Sequence, residues 1–420
     1  MKPNVLFLNV EFPLPTDNGG KIGVMGCIEA LSNISNLTVL TFGEGNFQPR
    51  LAELRKMFPA IDDVRVVPHK IHMRRDRGAL FGVALKMVMQ NLPYFAAKFV
   101  SPEMSATLAD LLKNKHYDHI IVCHDTRLGA YLPILRRQAP NAAVESIVID
   151  IEANVLADFI KQPHAPLVKS LAQIERNRCA RFENQLRDAL DHVLCLSMSD
   201  MEQIARENPR RSVSYMPTAV KPISPATDTS TPQQAKDHTV LMVSNFAWQP
   251  NAEAAQWMLK EVAPHLWKLR DKTEIILAGK GSIEIAADNK NPLVKGLGFV
   301  DDLEKLYRES SVVAVPVLST SGIRIKLLDA MAAALPIVST AMAAKAIGAV
   351  HGEHVLATDD PQQFAEQIVA LSENQDLANR LRHNAVALIR DKHSIAEVER
   401  EFQRCFDIVS QRRKHDPVGT

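Results

Sequence analysis

The sequence predicts an α/β protein made of two Rossmann-like domains, each built on a parallel β-sheet. Short apolar segments of the kind that form buried strands alternate with helical segments along the chain. This alternation stops once, over residues 222–238, which are rich in Pro, Ser, Thr and Gln and lack periodicity. The chain has 420 residues, 46% hydrophobic and 23% charged, which is enough for two cores. Two such domains that face each other would place a ligand cleft between the carboxyl ends of their strands.

The first predicted domain, residues 1–221, opens with a βαβ unit. NVLFLNV at 4–10 is a continuous apolar strand, and it is followed by the glycine-containing loop EFPLPTDNGGK. A helical pattern from Ile22 to Leu31 leads to a second strand at 37–42. The same alternation predicts three further strands in this domain, at 118–125, 145–152 and 192–197.

Residues 222–238 are predicted to be a linker, after which the second domain covers residues 239–395. One helix is predicted across 251–269. Five strands are predicted in this domain, at 239–245, 273–279, 294–300, 311–317 and 337–340. An amphipathic helix and a charged tail, residues 396–420, complete the chain.

Composition limits the classes of protein that fit. A formal charge of +1 provides no global field to recruit nucleic acid. The N-terminal segment MKPNVLFLNVEFP is too short for a signal peptide or a membrane span, and no later stretch reaches about 18 uninterrupted apolar residues. We therefore expect a cytoplasmic protein that is soluble or at most peripheral to a membrane. The cysteines are far apart, without metal spacing, as in reduced cytosolic thiols: Cys27, Cys123, Cys179, Cys195 and Cys405.

The segment STSGIRIKLLDAMAAALPIVST, residues 319–340, is the most informative in the chain. A glycine turn at Gly322 precedes the cations Arg324 and Lys326, and the amphipathic segment beside them carries Asp329. A helix start offers free backbone N–H groups and a positive dipole end, which suit a diphosphate, and the acid could accept hydrogen bonds from a ribose. An ordinary αβ connection with solvated cations explains the spacing equally well.

The second half of the chain, roughly residues 239–390, resembles the donor-binding domain of GT-B retaining glycosyltransferases of family 4, also called group 1. The matching segments include VSNFAWQPNAEAAQWMLKEVAPHL, IILAGKG, LGFVDDLEKLYRESSVVAVPV and SGIRIKLLDAMAAALPIVST, in the family's order. The first half resembles the family's acceptor domain more loosely, through PLPTDNGGK, YDHIIVCHD and LSMSDMEQI. The resemblance implies a GT-B fold in which the last helix crosses back onto the first domain.

The resemblance implies a role for each matching residue of the donor loop. Asp329 stands where the family has a longer acid that holds the ribose, and Ser321 replaces a second family acid. Arg324 and Lys326 would bind the diphosphate, which removes the need for a metal ion. Further donor-binding positions implied by the match are Ser321, Gly322, Ile323, Asn245 and Gly279. Asp301-Asp302 and Asp359-Asp360 are better explained as helix caps than as metal ligands.

Weaker candidates lie in the first domain. The loop residues Asp17, Asn18, Gly19 and Gly20 let backbone N–H groups approach a phosphate or sugar, although a plain βα turn explains them equally well. His124 ends an apolar strand, where a structural histidine is common; the family match implies contact with the transferred sugar from the opposite domain. Asp150 and Glu152 end the next strand and could bind an acceptor hydroxyl or cap the following helix. Glu183 matches a family position, and a surface ion pair explains it equally well.

Several positions depart from the family pattern. Alanines and Lys345 occupy 343–347, where the family has glycines and an acid, and Ala334 replaces a helix-ending glycine. Thr218-Ala219 replaces an interdomain asparagine-glycine pair. Together these changes are compatible with a narrowed donor preference or with weakened catalysis.

Residues 70–100 combine a basic turn with an apolar stretch. Such a combination suits a surface that contacts anionic lipid, where each cation adds roughly 1 kcal/mol. An internal helix pair with a solvated basic turn is the alternative. The residues concerned are Lys70, Arg74, Arg75, Arg77, Phe81, Phe95 and Phe99.

The sequence therefore predicts a metal-independent retaining glycosyltransferase of the hexosyltransferase type. Its partners would be a nucleotide-diphosphate sugar, a glycan or lipid-linked acceptor, and an anionic membrane at the inner face of the cell. Bacterial surface polysaccharide or glycoconjugate synthesis is the expected context. A nucleotide-sugar epimerase of the same fold and a catalytically weakened nucleotide-sugar-binding subunit are the alternatives.

Overall fold

The computed structural model describes residues 2–16, 18–69, 77–162, 164–220, 239–318 and 324–415. These residues form two compact units, one comprising residues up to 219 and from 395 onward, and the other residues 220–318 and 324–394. The predicted linker, residues 222–238, lies outside the described residues, and its assignment stays a prediction. No helix of the described part is long and apolar enough to cross a membrane.

The first unit contains a fully parallel sheet in the strand order β3-β2-β1-β4-β5-β6-β7. Its strands are β1 (Asn4–Asn9), β2 (Asn36–Gly43), β3 (Asp63–Pro68), β4 (His119–Cys123), β5 (Ala143–Val148), β6 (His192–Cys195) and β7 (Val213–Tyr215). Its helices are α1 (Gly19–Ile34), α2 (Gln48–Met57), α3 (Arg77–Met89), α4 (Tyr94–Ala97), α5 (Pro102–Asn114), α6 (Asp125–Leu128), α7 (Leu132–Gln138), α8 (Glu152–Lys161), α9 (Pro166–Asp188) and α10 (Met198–Glu207).

The second unit contains another parallel sheet, in the order β10-β9-β8-β11-β12-β13. Its strands are β8 (Thr239–Val243), β9 (Glu274–Ala278), β10 (Val294–Gly296), β11 (Val312–Val315), β12 (Ile337–Ser339) and β13 (Leu356–Ala357). Its helices are α11 (Gln249–Trp257), α12 (Ala263–Leu269), α13 (Ser282–Asn289), α14 (Leu303–Arg308), α15 (Ile325–Ala332), α16 (Ala341–Ala346), α17 (Pro361–Glu373) and α18 (Gln375–Lys392). The last helix, α19 (Ile395–His415), belongs to the first unit.

The continuous apolar run of β1 is explained by burial on both faces of its sheet. Val5 and Phe7 pack into the same core as α1 and α19, whereas Leu6 and Leu8 pack with α5 on the other face. Parallel sheets covered by helices on both sides favour such runs over strict alternation. The two-sheet α/β architecture predicted from the sequence is confirmed.

The return of α19 to the first unit is also confirmed. Phe402 and Phe406 lie in the first core, and Phe406 stacks on His119 with ring centroids 3.9 Å apart. Near the end of the helix, Arg413 donates hydrogen bonds to the carboxylate of Asp191 and to the backbone carbonyl of Asn141. The helix is therefore fixed by both apolar burial and charge.

The sequence missed the strands β3, β7 and β13. All three lie at sheet edges, and β7 and β13 contain only three and two residues. Edge strands are short and carry polar side chains, so they lack the apolar run that identifies a central strand. The predicted helix at 251–269 is interrupted by a π-helical stretch, Met258–Val262, between α11 and α12.

Candidate functional site

A pocket lies at the carboxyl edge of the second sheet, where β8 and β11 are neighbours. β8 pairs with β9 on one side and with β11 on the other, so the strand order reverses at this position. Open α/β sheets bind ligands at such a reversal. The pocket is lined by residues of these strands and of two helices: Met242, Val243, Leu303, Tyr307, Val313, Ala314, Val315, Pro316, Lys326 and Asp329.

Lys326 is the second residue of α15 and points its ammonium group at the start of α11. Its Nζ donates a hydrogen bond to Oδ1 of Asn251. Burial, together with the nearby charge of Arg324, lowers the pKa of Lys326 to about 8. Within the described part of the chain, no carboxylate lies within ion-pair distance of it. A cation that is costly to bury and has a neutral partner is suited to bind an anionic ligand.

Asp329 lies one turn further along α15 and lines the same pocket. Burial raises the pKa of its carboxyl group to about 6. Burial also raises the pKa of Tyr307, and the charge of Asp329 adds to this effect. The pocket therefore holds a carboxylate that is ionised at neutral pH but poorly solvated, which favours ligands that donate hydrogen bonds to it.

Arg324 is the residue at the N-cap position of α15 and is 5% exposed. Its guanidinium is close enough to Lys326 to lower the pKa of that group. The structure thus places Arg324 near Lys326, and it places Lys326 and Asp329 in one pocket. The other predicted residues of this loop, Ser321, Gly322 and Ile323, lie outside the described residues.

The loops that follow β8 and β9 are joined by backbone hydrogen bonds. The amide of Ser244 donates to the carbonyl of Ala278 at 2.9 Å, and the amide of Phe246 donates to that of Lys280 at 2.7 Å. Gly279 has φ +123°, and a Cβ there would lie 1.9 Å from the carbonyl oxygen of Ser244. Only glycine fits this position, so Gly279 shapes the loop through its backbone.

Asn245 lies in the loop after β8 and is exposed. Its side-chain Oδ1 accepts from the amide of Ala247 at 3.2 Å, and its backbone carbonyl accepts from Nδ2 of Asn251 at 2.7 Å. Asn251 is a residue that the sequence reasoning missed. It lies within the family-like segment QPNAEA, and an asparagine after a proline at a helix start was the only available signal.

The residue that follows the last turn of α15, Ala334, has a left-handed backbone. It has φ +55°, in the left-handed region that disfavours any residue with a Cβ. The family glycine that it replaces would be unstrained there. Lys345, another of the departures, is exposed on α16.

In the first unit, His124 lies immediately after β4 and is 8% exposed. Its backbone is left-handed, at φ 59° and ψ 69°, and its amide donates to the carbonyl of Ile147 at 3.0 Å. Burial, assisted by the charge of Arg127, lowers the pKa of His124 well below its usual range. Its imidazole is therefore neutral at pH 7. Strained residues of this kind concentrate at functional sites.

The glycine loop of the first unit has a structural role that the sequence left open. Asn18 is the N-cap of α1, and its Oδ1 accepts from the amide of Lys21 at 3.0 Å. Gly19 and Gly20 form the first turn of this helix. Asn18 therefore has a structural role as a helix cap. The start of α1 still has the positive dipole end that attracts anions. Asp17 lies outside the described residues.

Glu183 is buried, so the surface ion pair considered from the sequence is wrong. Its Oε1 accepts from Oγ1 of Thr126 and from the backbone amide of Glu152, both at 2.8 Å. Burial raises the pKa of Glu183 to about 7, against the opposing effect of Arg187. Arg187 in turn donates from Nε to Asp125 at 2.7 Å. This buried polar network fixes the segment that directly follows His124.

Glu152 begins α8 but does not cap it through its side chain. Its Oε1 accepts from Nε of Arg127 at 2.5 Å. Two of the predicted acidic caps do occur in the second unit, since Asp302 accepts from the amide of Lys305 and Asp360 from that of Gln363. Among the described residues, no group of three His, Cys, Asp or Glu side chains could hold a metal ion.

Comparison with known proteins identifies the second unit. Residues 237–374 match the family Glycosyl transferases group 1. This segment is therefore similar in sequence to group 1 glycosyltransferases. The pocket lies in it, with Asn251, Lys326 and Asp329 all inside the matched range.

Solved structures share the fold over nearly the whole chain. HepE of Anabaena, solved in complex with UDP, is 16% identical with a TM-score of 0.63, covering 96% of this chain and 99% of HepE. A glycosyltransferase from Rickettsia africae is 13% identical with a TM-score of 0.62, covering 97% and 99%. Sucrose-phosphate synthase from Thermosynechococcus elongatus is 14% identical with a TM-score of 0.65, covering 96% and 98%. The fold is therefore GT-B, as expected.

A curated relative is similar over the same extent. An uncharacterised 44.6 kDa protein in the cps region of Klebsiella pneumoniae is 18% identical over 404 residues, covering 94% of this chain and 97% of the relative.

Proposed function

We propose that the chain is a metal-independent retaining glycosyltransferase that takes its sugar from a nucleotide diphosphate. The observation that carries the proposal is the ammonium group of Lys326, held in a pocket at the strand reversal of a group 1 glycosyltransferase domain. HepE, which shares the fold, has been solved with UDP and with UDP-glucose, which supports a nucleotide-sugar ligand.

In the proposed reaction, the bond between the anomeric carbon and the diphosphate oxygen breaks, and a bond from that carbon to an acceptor hydroxyl oxygen forms. The leaving diphosphate oxygen takes the electron pair of the broken bond, gains negative charge and accepts the proton of the acceptor hydroxyl. Arg324 and Lys326 stabilise this charge by charge-assisted hydrogen bonds, the task that a metal ion performs in other transferases. Asp329 accepts hydrogen bonds from the nucleoside ribose.

His124 is proposed to contact the transferred sugar as a neutral hydrogen-bonding group. Its lowered pKa and its restrained backbone fit this role better than that of a cation. Asn18, Gly19 and Gly20 are proposed to help bind the acceptor, because they form the amino end of α1. These roles in the first unit come from the family resemblance.

The acceptor is proposed to be a glycan or lipid-linked saccharide of a bacterial surface polysaccharide pathway. The cps-region relative supports this context, and a cytoplasmic location at the inner face of the membrane is proposed with it. Phe81 of α3 is 73% exposed, which fits contact with lipid. Phe99, in contrast, is buried and cannot contribute. The basic residues Lys70, Arg74 and Arg75 lie outside the described residues.

A second apolar surface adjoins α3. On α9, Leu167, Leu171 and Ile174 are exposed at helical spacing, and Arg178 of the same helix donates to the backbone carbonyl of Met87 on α3. We expect the protein to float with anionic vesicles at low salt and to release them at high salt. Flotation that is indifferent to lipid charge would contradict the proposed membrane contact.

A panel of nucleotide sugars tests the proposed reaction. The protein is incubated with UDP, GDP, ADP and dTDP sugars, with and without candidate acceptors, while release of nucleoside diphosphate is measured. Release that depends on acceptor supports transfer. Isomerisation of the sugar without acceptor would indicate an epimerase, and tight binding without release would indicate a binding subunit.

A further inference from the structure

Asn251 connects the ammonium group of Lys326 to the loop that follows β8. Its Oδ1 accepts from Nζ of Lys326, and its Nδ2 donates to the backbone carbonyl of Asn245 at 2.7 Å. An ammonium group can only donate and a carbonyl can only accept. The carboxamide therefore has a single orientation that satisfies both partners.

The anchor of this connection is held firmly by backbone contacts. The carbonyl of Asn245 also accepts from the amide of Trp248 at 3.2 Å, and the amide of Asn251 donates to the carbonyl of Trp248 at 3.0 Å. The same loop is joined to the loop after β9 through Phe246, whose amide donates to the carbonyl of Lys280 at 2.7 Å. A side chain anchored in this way can fix the position of Lys326.

The charge of Lys326 depends on whether its hydrogen-bond partner is an amide or a carboxylate. A carboxylate in place of Asn251 would hold Lys326 equally well but would neutralise its charge. An amide accepts one N–H of the ammonium group and leaves the full positive charge, with the other two N–H groups, for a ligand. Other ionisable groups near Lys326 are Arg324 at the start of α15, with Asp329 of α15 and Tyr307 of α14 in the same pocket.

We propose that Asn251 is a positioning residue that aims the ammonium group of Lys326 at the diphosphate of the donor while preserving its charge. The inference rests on the proposed function of the pocket as a nucleotide-sugar site. By this inference, α11 contributes to donor binding indirectly, because its Asn251 positions Lys326.

Binding of nucleoside diphosphates between pH 7 and pH 10 tests this role. UDP, GDP, ADP and dTDP are titrated into the full-length protein by calorimetry, and the tightest binder is kept. Affinity of the wild-type protein should fall as Lys326 loses its proton near pH 8. Asn251→Ala should weaken binding about tenfold at pH 7, the loss of one hydrogen bond to a charged group.

The pH midpoint of this decline separates positioning from a general structural effect. Asn251→Ala removes an acceptor that favours the charged lysine, so the midpoint should move below that of the wild type. Asn251→Asp adds a negative charge beside the lysine, so the midpoint should move above it, although affinity at pH 7 still falls. Gln256→Ala, an exposed change on the same helix, is the control and should alter neither quantity.

The outcomes distinguish the two proposals. A wild-type protein that binds none of the four nucleotides overturns the proposed function and this inference with it. A wild-type protein that binds, with Asn251 variants of unchanged affinity and midpoint, overturns the role of Asn251 alone. Circular dichroism melting of each variant establishes that it is folded at the temperature of titration.

Discussion

Replacing Lys326 by methionine should abolish most of the transferase activity without unfolding the protein. Methionine keeps the apolar stem of the side chain and removes only the charge. Loss of one donor that stabilises a developing anion costs roughly 2.7 to 4 kcal/mol, which corresponds to a 100- to 1000-fold lower kcat. The comparable change Lys272→Met, at an exposed lysine of the same unit, should leave activity unchanged.

The stability of Lys326→Met should rise, although its activity falls. Burial lowers the pKa of Lys326 from 10.5 to about 8, so the folded protein disfavours the charged form by about 3 kcal/mol at neutral pH. This cost is present in full below pH 8 and disappears as the pH rises toward 10.5. Loss of the hydrogen bond to Asn251 offsets roughly 1 kcal/mol of the gain. Lys326→Met should therefore melt a few degrees above the wild type at pH 7.

Two measurements on the same samples check this reasoning. Acceptor-dependent release of nucleoside diphosphate gives kcat, and calorimetric melting at pH 7 gives Tm. A variant with lower activity and unchanged or higher Tm agrees with a functional cation. Near-normal turnover would refute the role of Lys326 at the diphosphate, whereas a large drop in Tm would refute its description as a poorly solvated charge.

Three further predictions follow from the same structure. Burial raises the pKa of Asp329 from 3.8 to about 6, so binding of the donor's nucleoside, which carries no titrating phosphate, should strengthen as pH rises through 6. Asp329→Asn should bind the nucleoside weakly at every pH. If this variant kept the pH dependence, a group other than Asp329 would be its cause. Ala334→Gly relieves a left-handed backbone and should raise the free energy of unfolding by about 1 kcal/mol in urea, with a decrease speaking against strain at this position. Burial raises the pKa of Glu183 from 4.5 to about 7, so the folded state should lose stability as pH rises across that range. In Glu183→Gln this loss should be smaller. If Tm fell with the same slope in both proteins from pH 5 to pH 8, other groups would cause the loss.

The second unit was largely predictable because its signals are local. The central strands are apolar runs, and the donor loop places Arg324, Lys326 and Asp329 within six consecutive residues. Their proximity in space follows from the start of a single helix.

Asn251 was not predictable because its role depends on residues distant in sequence. It lies 75 positions before Lys326, and only the fold brings α11 to the start of α15. No spacing rule connects an amide near a helix start to a lysine that follows three further helices and three strands. The same limit hid the burial of Glu183, whose partner Thr126 is 57 positions away.

The contribution of α19 to the first core has a consequence for the order in which the protein folds during synthesis. Phe402 and Phe406 pack with α1, yet the ribosome makes them only after the whole second unit. At about 5–20 residues per second, the apolar face of α1 stays uncovered for on the order of tens of seconds. During that time the second unit can fold alone, because its segments are all complete before α19 emerges. The nascent chain should therefore bind chaperones through its first unit, which is made first but finishes last.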